Sequence, residues 1–332
     1  MKSRIVAWGL VALLVLVGLR VAFTEPRRAE PISDTRFLMG TLVEMRIYGS
    51  QKVLNAAFDH LKHLDEMMSR TQRGSEVYQI NRKAGRDWVS VSPDTYKIVE
   101  AALEYAILTN GLFDPTIAPL VDLWGIGTSH AQIPETAALK AAQDLIDYRS
   151  VELDAKGKQV RLSNPDMGLD LGGIAKGYAA DSVVALLRNN GVKSGFISLG
   201  GNVYVIGGKP DGSPWRIGIQ DPFAARGVHT AVLEVRDTSI VTSGPYERYF
   251  IKDNRRYHHI LDPSTGYPAD NCLVSVTIVT PCSMTADALS TGVFLLGRTR
   301  GLALLEELDG VEGILITSDR QVYVTSGLRG QL

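Results

Sequence analysis

The stretch "LDLGGIAKGYAAD", Leu169 to Asp181, holds three glycines, two aspartates and a lysine in thirteen residues. Glycine costs about 0.5–1 kcal/mol inside regular structure, so such a cluster marks either a sharp strand-turn-helix corner or backbone in close approach to something bulky. Glycines recur where strands should end: Gly172 and Gly173, Gly200 and Gly201, Gly207 and Gly208, then Gly244 and Gly266. Bare backbone at such turns can bring N–H groups against phosphate oxygens. Separate tight turns would account for the same pairs. The spacing is neither G-x-G-x-x-G nor a P-loop.

In "TADALST", Asp287 and Thr291 lie four residues apart, so a carboxylate and a hydroxyl share one face of a helix. Both are hard oxygen ligands of the kind Mg²⁺ takes alongside phosphate and water; a solvated helix face is the alternative. "YHHILDPSTGYPA" sets His258 and His259 at a strand end before an Asp-Pro turn. Alternation puts the two imidazoles on opposite sides, and His259 shares its side with Leu261. A histidine near neutrality can accept a hydroxyl proton, although a lone histidine can equally be structural. "GLFDPTIAPLVDLWG" reads as a fixed polar turn around Asp114. Cys272 and Cys282 are the only cysteines, too few for a common zinc site. They form either a disulfide or two unpaired buried thiols.

These residues need elements to hold them. "MGTLVEMRIYG" alternates as a strand, and Val53, Leu54, Ala57, Phe58, Leu61, Leu64 and Met68 follow helical spacing. A second helix is capped by Ser92, begins with Pro93 and ends before Gly111. "VELDAKGKQVRLS" and "RYFIKDNRRYHHIL" read as β-runs folded about turns. Helices are expected from about Ala179 to Gly191, from Met284 to Leu296 and around Leu302 to Leu308, before two terminal strands. No internal repeat or low-complexity tract appears. The mixture defines an α+β protein with two lobes in one continuous catalytic unit.

The 332 residues are 45% hydrophobic with a net charge of -1, which suits a substantial core and leaves no basic patch for nucleic acid. Lys2 and Arg4 precede an apolar run from Ile5 to Leu19, the pattern of an export signal. The expectation is an uncleaved anchor in the inner membrane with the body in the periplasm. A cleaved signal peptide and a soluble periplasmic protein are the alternative.

In combination and order, these blocks resemble the ApbE family, the FAD:protein FMN transferases. The resemblance spans roughly residues 36–325 and rests on "MGT", "SEVYQIN", "GLFDPTIAPLVDLWG", "LDLGGIAKGYAAD", "SLGGNVYVIGGKP", "TSGPYERYF", "HHILDPSTGYPA" and "TADALSTG". It implies a T-fold-related α+β catalytic domain of mixed or antiparallel sheets and flanking helices over residues 29–332, after a signal or anchor segment at 1–28. The implied reaction moves FMN from FAD to a threonine or serine hydroxyl of a target protein and releases AMP. Targets of this kind are subunits of membrane redox complexes and related electron-transfer proteins. By resemblance FAD contacts Met39, Leu112, Phe113, Asp114, Asp170, Lys176 and Leu261. Mg²⁺ is held by the Gly173 carbonyl with Asp287 and Thr291, and His259 is the base. Asp181 is either a ligand or structural. At one point the chain departs from the pattern: relatives often carry an aromatic residue shortly after "MS", where this chain has Arg70, Thr71 and Gln72. Flavin stacking is then weaker or supplied elsewhere, with Tyr78 a substitute. A loosely held flavin admits water, so Mg²⁺-dependent cleavage of FAD to FMN and AMP is an alternative outcome, and a non-catalytic exported FAD-binding protein is another.

Overall fold

Residues 30–331 are described by a computed structural model, and the expected export segment at 1–28 lies outside them. Among the described residues no helix is long and apolar enough to cross a membrane. Ile32–Leu332 form one compact unit.

Its frame is an eight-stranded sheet whose strands lie side by side in chain order: β1 (Ile32–Leu38), β2 (Thr41–Ile47), β3 (Gly195–Leu199), β4 (Asn202–Ile206), β5 (Thr238–Ser243), β6 (Leu273–Thr280), β7 (Glu312–Thr317) and β8 (Val322–Val324). Every neighbouring pair is antiparallel. β1 is an addition to the single strand expected at "MGTLVEMRIYG". Leu38 faces Thr41 across a two-residue turn in which Met39 and Gly40 both have positive φ, 52° and 68°. Such turns match the strands' twist but ask for glycine or asparagine, and a methionine there is an unusual expense. The central strand β6, "LVSVTIVT", is nearly a continuous apolar run because both faces of the sheet are covered. Val276 and Ile278 pack on one side, while Val279 on the other meets Ile219 and Leu233 of a hairpin, Trp215–Gln220 with His229–Val235, that was not anticipated.

The helices fill the connections. α1 (Gln51–Met68) buries Leu54, Ala57, Phe58, Leu61, Leu64 and Met68, the face its spacing predicts. α2 (Glu76–Arg82) is capped by Ser75, and α3 (Pro93–Leu108) by Ser92, whose Oγ accepts from Thr95 N at 3.2 Å. α4 (Ala118–Trp124) follows within the segment read as a turn, and α5 (Thr136–Gln143) where no element was expected. α6 (Ala175–Asn189) starts four residues before the expected Ala179. Gly177 disguised that first turn, since glycine reads as a helix breaker. Here it is a contact surface: a Cβ on Gly177 would sit 2.7 Å from Asp287 Cβ and 2.7 Å from Met284 Cα. α7 (Ser283–Glu306) carries these residues and merges the two helices expected at its ends. Gly297, at φ 76° and ψ 172°, breaks its axis where the first was expected to stop. The α7 N-terminus is capped from α6: Asp181 accepts from Ser283 N and Met284 N, both at 2.8 Å. Asp181 is therefore structural. Cys272 and Cys282 are both free thiols, so the disulfide alternative does not hold; Cys272 is exposed rather than buried, and Cys282, half-buried, donates to Asp181.

Candidate active site

Five segments separated in the chain meet because specific side chains clasp them. Asn81 of α2 holds Leu169 at both backbone groups, donating to its carbonyl at 2.9 Å and accepting from its N–H at 2.7 Å. Asp170 N then donates to the Pro115 carbonyl at 2.8 Å, and Ile117 bridges Gly168 in parallel. Thus "SEVYQIN", "GLFDPT" and "LDLGG" form one wall. Asp114 is buried and accepts from Thr116 N, Thr116 Oγ1 and Tyr148 N at 2.8, 2.7 and 3.0 Å. Burial pushes its carboxyl up, and those donors pull the other way. The Asp-Pro turn after His259 is gripped by α4 and α5. Trp124 Nε1 donates to the Gly266 carbonyl at 2.8 Å, and Gln143 Nε2 to those of Pro263 and Ser264 at 3.0 and 2.9 Å.

The result is a cleft of about 630 Å³. Met39, Leu112, Phe113, Asp114, Asp170, Gly173, Lys176, His259, Leu261, Asp287 and Thr291 all line it. Tyr78 does not, so it supplies no flavin platform in this arrangement. Arg70 lines it as well, and so do Asp65, Arg226, Ser243 and Arg248, which were not singled out from the sequence. Asp65 on α1 accepts from the strained Met39 N at 2.7 Å, a contact with no signature in a helical pattern. Arg70, read as the loss of an aromatic residue, spans two carboxylates, with Nε 2.7 Å from Asp170 Oδ2 and Nη1 2.5 Å from Asp122 Oδ1.

One end of the cleft collects oxygen donors and a cation. Asp287, 4% exposed, accepts from Gly177 N at 2.8 Å and lies 3.5 Å from Lys176 Nζ, which also donates to the Gly172 carbonyl at 3.2 Å. Thr291 Oγ1 stands 3.7 Å from where a Cβ of Gly173 would be, and 3.5 Å from Ser243 Oγ. Phe113 also packs on Gly173: that Cβ would meet Phe113 Cε2 at 2.9 Å. Among the described residues no three His, Cys, Asp or Glu side chains gather into a cage. A carboxylate, a hydroxyl and a carbonyl suit a hard divalent cation that completes its shell with water and ligand oxygens.

The two histidines separate as alternation requires. His258 is buried, its Nε2 3.0 Å from the Ala269 carbonyl and its Nδ1 accepting from Ile260 N. His259 faces the cleft, and its Nδ1 lies 3.2 Å from the Arg248 carbonyl. A carbonyl only accepts, so Nδ1 carries the proton and Nε2 keeps its lone pair. Burial and then the Arg248 charge lower its pKa to about 4, and the imidazole is neutral at physiological pH.

A neutral imidazole, hard oxygen donors and cations around one cleft define an enzyme site for a phosphate-bearing substrate. The chain belongs to the ApbE family, whose profile matches residues 39–315. It is 36% identical to a FAD:protein FMN transferase of Treponema pallidum over 99% of this chain and 96% of that one. Another of that name, from Klebsiella pneumoniae, is 37% identical over 90% and 92%. Among solved structures, the ApbE protein of Thermotoga maritima superposes with a TM-score of 0.84 at 33% identity, covering 91% of this chain and 99% of that one. The flavin transferase ApbE of Vibrio cholerae gives 0.83 at 31%, covering 92% and 100%.

Proposed function

We infer that this chain is an FAD:protein FMN transferase, joining FMN from FAD to a threonine or serine hydroxyl of an acceptor protein and releasing AMP. One observation carries the reading: the eleven residues named for that chemistry, scattered from Met39 to Thr291, line a single cleft. The relatives of that name cover nearly the whole chain.

The acceptor hydroxyl approaches His259, whose Nε2 takes its proton as the oxygen attacks the FMN phosphorus. The new P–O bond forms as the bond to the AMP phosphate breaks, and AMP leaves as the anion. The Arg248 carbonyl holds the imidazole in the tautomer this requires. Lys176 offsets charge on the diphosphate. Leu112, Phe113 and Leu261 offer apolar surface to the flavin nucleotide, while Asp170, steadied by Arg70, offers polar contacts. The Gly173 carbonyl, Asp287 and Thr291 would hold Mg²⁺, which, when bound, neutralises phosphate charge as it develops. We place the acceptor among subunits of membrane redox complexes or related electron-transfer proteins, and the enzyme on the periplasmic face of the inner membrane through its N-terminal apolar run.

Incubation with FAD, Mg²⁺ and a candidate acceptor, followed by mass spectrometry, tests the reaction. The expected result is an acceptor heavier by one FMN unit with an equimolar yield of AMP. The lack of an aromatic residue at 70–72 favours a second reading, hydrolysis, which would instead yield free FMN and an unmodified acceptor. His259→Ala should abolish transfer and leave FAD binding largely intact; unchanged turnover would eliminate that assignment. Chelation with EDTA should stop turnover, and Mg²⁺ should restore it.

A further inference from the structure

Arg248 has a guanidinium without a hydrogen-bond or ion-pair partner among the described residues, whereas Arg70 and Lys176, which line the same cleft, are paired with Asp170 and Asp287. It is exposed and lines the cleft. Its course is unusual: Cδ lies 3.8 Å from where a Cβ of Gly127 would be, and Nη2 lies 3.9 Å from that of Gly40. The side chain therefore reaches from the segment after β5 toward the β1–β2 turn, passing the loop that follows α4. Its backbone carbonyl meanwhile accepts from His259 N at 3.1 Å and lies 3.2 Å from His259 Nδ1. The backbone of Arg248 thus orients the base while its guanidinium stays free in the cleft.

We propose that Arg248 is a second catalytic residue of the transfer reaction, its guanidinium binding the non-bridging oxygens of the FMN phosphoryl group as that group passes from AMP to the acceptor hydroxyl. The inference rests on the transferase reading above. In-line displacement puts the entering oxygen and the leaving AMP on opposite sides of the phosphorus. His259 must lie on the entering side, where it collects the proton. Arg248, whose carbonyl orients His259 and whose guanidinium lines the same cleft, supplies the cation for the equatorial oxygens of the FMN phosphorus, whereas Lys176, beside Asp287, serves the diphosphate from the cation-binding end. A planar fork of donors fits those oxygens as an ammonium does not. The bond made is acceptor O–P, the bond broken is P–O to AMP, and the hydroxyl proton ends on His259 Nε2.

The test uses the full-length enzyme with FAD, Mg²⁺ and a flavin-acceptor protein, reading AMP release and acceptor mass. Arg248→Ala should lower kcat by about 10²–10³-fold while the FAD KM moves far less, as expected for a donor engaged in the transition state. Free guanidinium at millimolar levels should restore part of the rate, and Arg248→Lys should fall between the two. FAD binding by flavin fluorescence should change little, because the contact is made as the group is transferred, and the thermal midpoint should stay near that of the unaltered protein, because the side chain is exposed. An unchanged kcat, or a raised KM with kcat intact, overturns the proposal alone. Absence of AMP release by the unaltered enzyme overturns the transferase reading and this inference with it.

Discussion

At the scale of single residues, the site turns on a histidine kept neutral by its surroundings. Burial and the charges of Arg248, His258 and Lys176 lower the His259 pKa from 6.5 to about 4, and the Arg248 carbonyl opposes them. If His259 is the base, the acid limb of kcat/KM, which reports the free enzyme, should lie near 4 rather than near 6.5. Bound FAD brings phosphate negative charge against the same cations, so the limb seen in kcat should lie higher. A pH-rate series from 4 to 8 checks both. The same shift has a stability consequence. Between pH 6.5 and 4 the unfolded chain binds a proton at this residue that the folded one refuses, so stability falls as pH drops through that window. His259→Gln should flatten this part of the pH-dependence of the melting temperature. Of the cleft residues, those in glycine-rich or Asp-Pro blocks were legible because their types are odd for the elements around them. Asp65 and Arg248 were not, since one looks like any helix carboxylate and the other like any strand-flanking arginine.

At the scale of elements, the α6–α7 crossing sets the geometry of the oxygen donors. Gly177→Ala places a methyl carbon against Asp287 and Met284, and overpacking of this kind costs about 1–3 kcal/mol. The helices must part, so the thermal midpoint should fall and transferase activity should fall with it. Asp181→Ala removes the cap on α7 and should cost about 1–2 kcal/mol in a denaturant titration, with less effect on FAD affinity than Gly177→Ala. Helices with plain apolar spacing or a Ser cap, such as α1 and α3, were readable from the sequence to within a residue or two. α6 was read short because Gly177 is chosen for a neighbour distant in the chain, which local propensity does not register. α4 and α5 were hidden for a related reason: each is short and supported by contacts with the Asp-Pro turn rather than by its own periodicity.

At the scale of the whole molecule, the α+β class and some of its hairpins followed from alternation and turn residues, and the resemblance implied mixed or antiparallel sheets, but the strand order was not legible. Nothing local says that Ile47 and Gly195 belong on neighbouring strands. Since Ile32–Leu332 form one compact unit, a variant lacking residues 1–29 should fold and retain FAD binding, with a melting curve matching the full chain. Loss of cooperative melting in that variant would contradict it. Strands adjacent in order are not all adjacent in the chain, and this has a kinetic corollary. β3 to β4 zips through a two-residue turn, whereas β2 must find β3 across residues 48–194. Loop-closure entropy grows only slowly with length, about 0.6 kcal/mol per doubling, but it is paid before the pairing returns anything. The edge hairpin that carries Met39 should therefore be the last piece to dock during refolding, and the cleft mouth the last region to gain protection from hydrogen exchange.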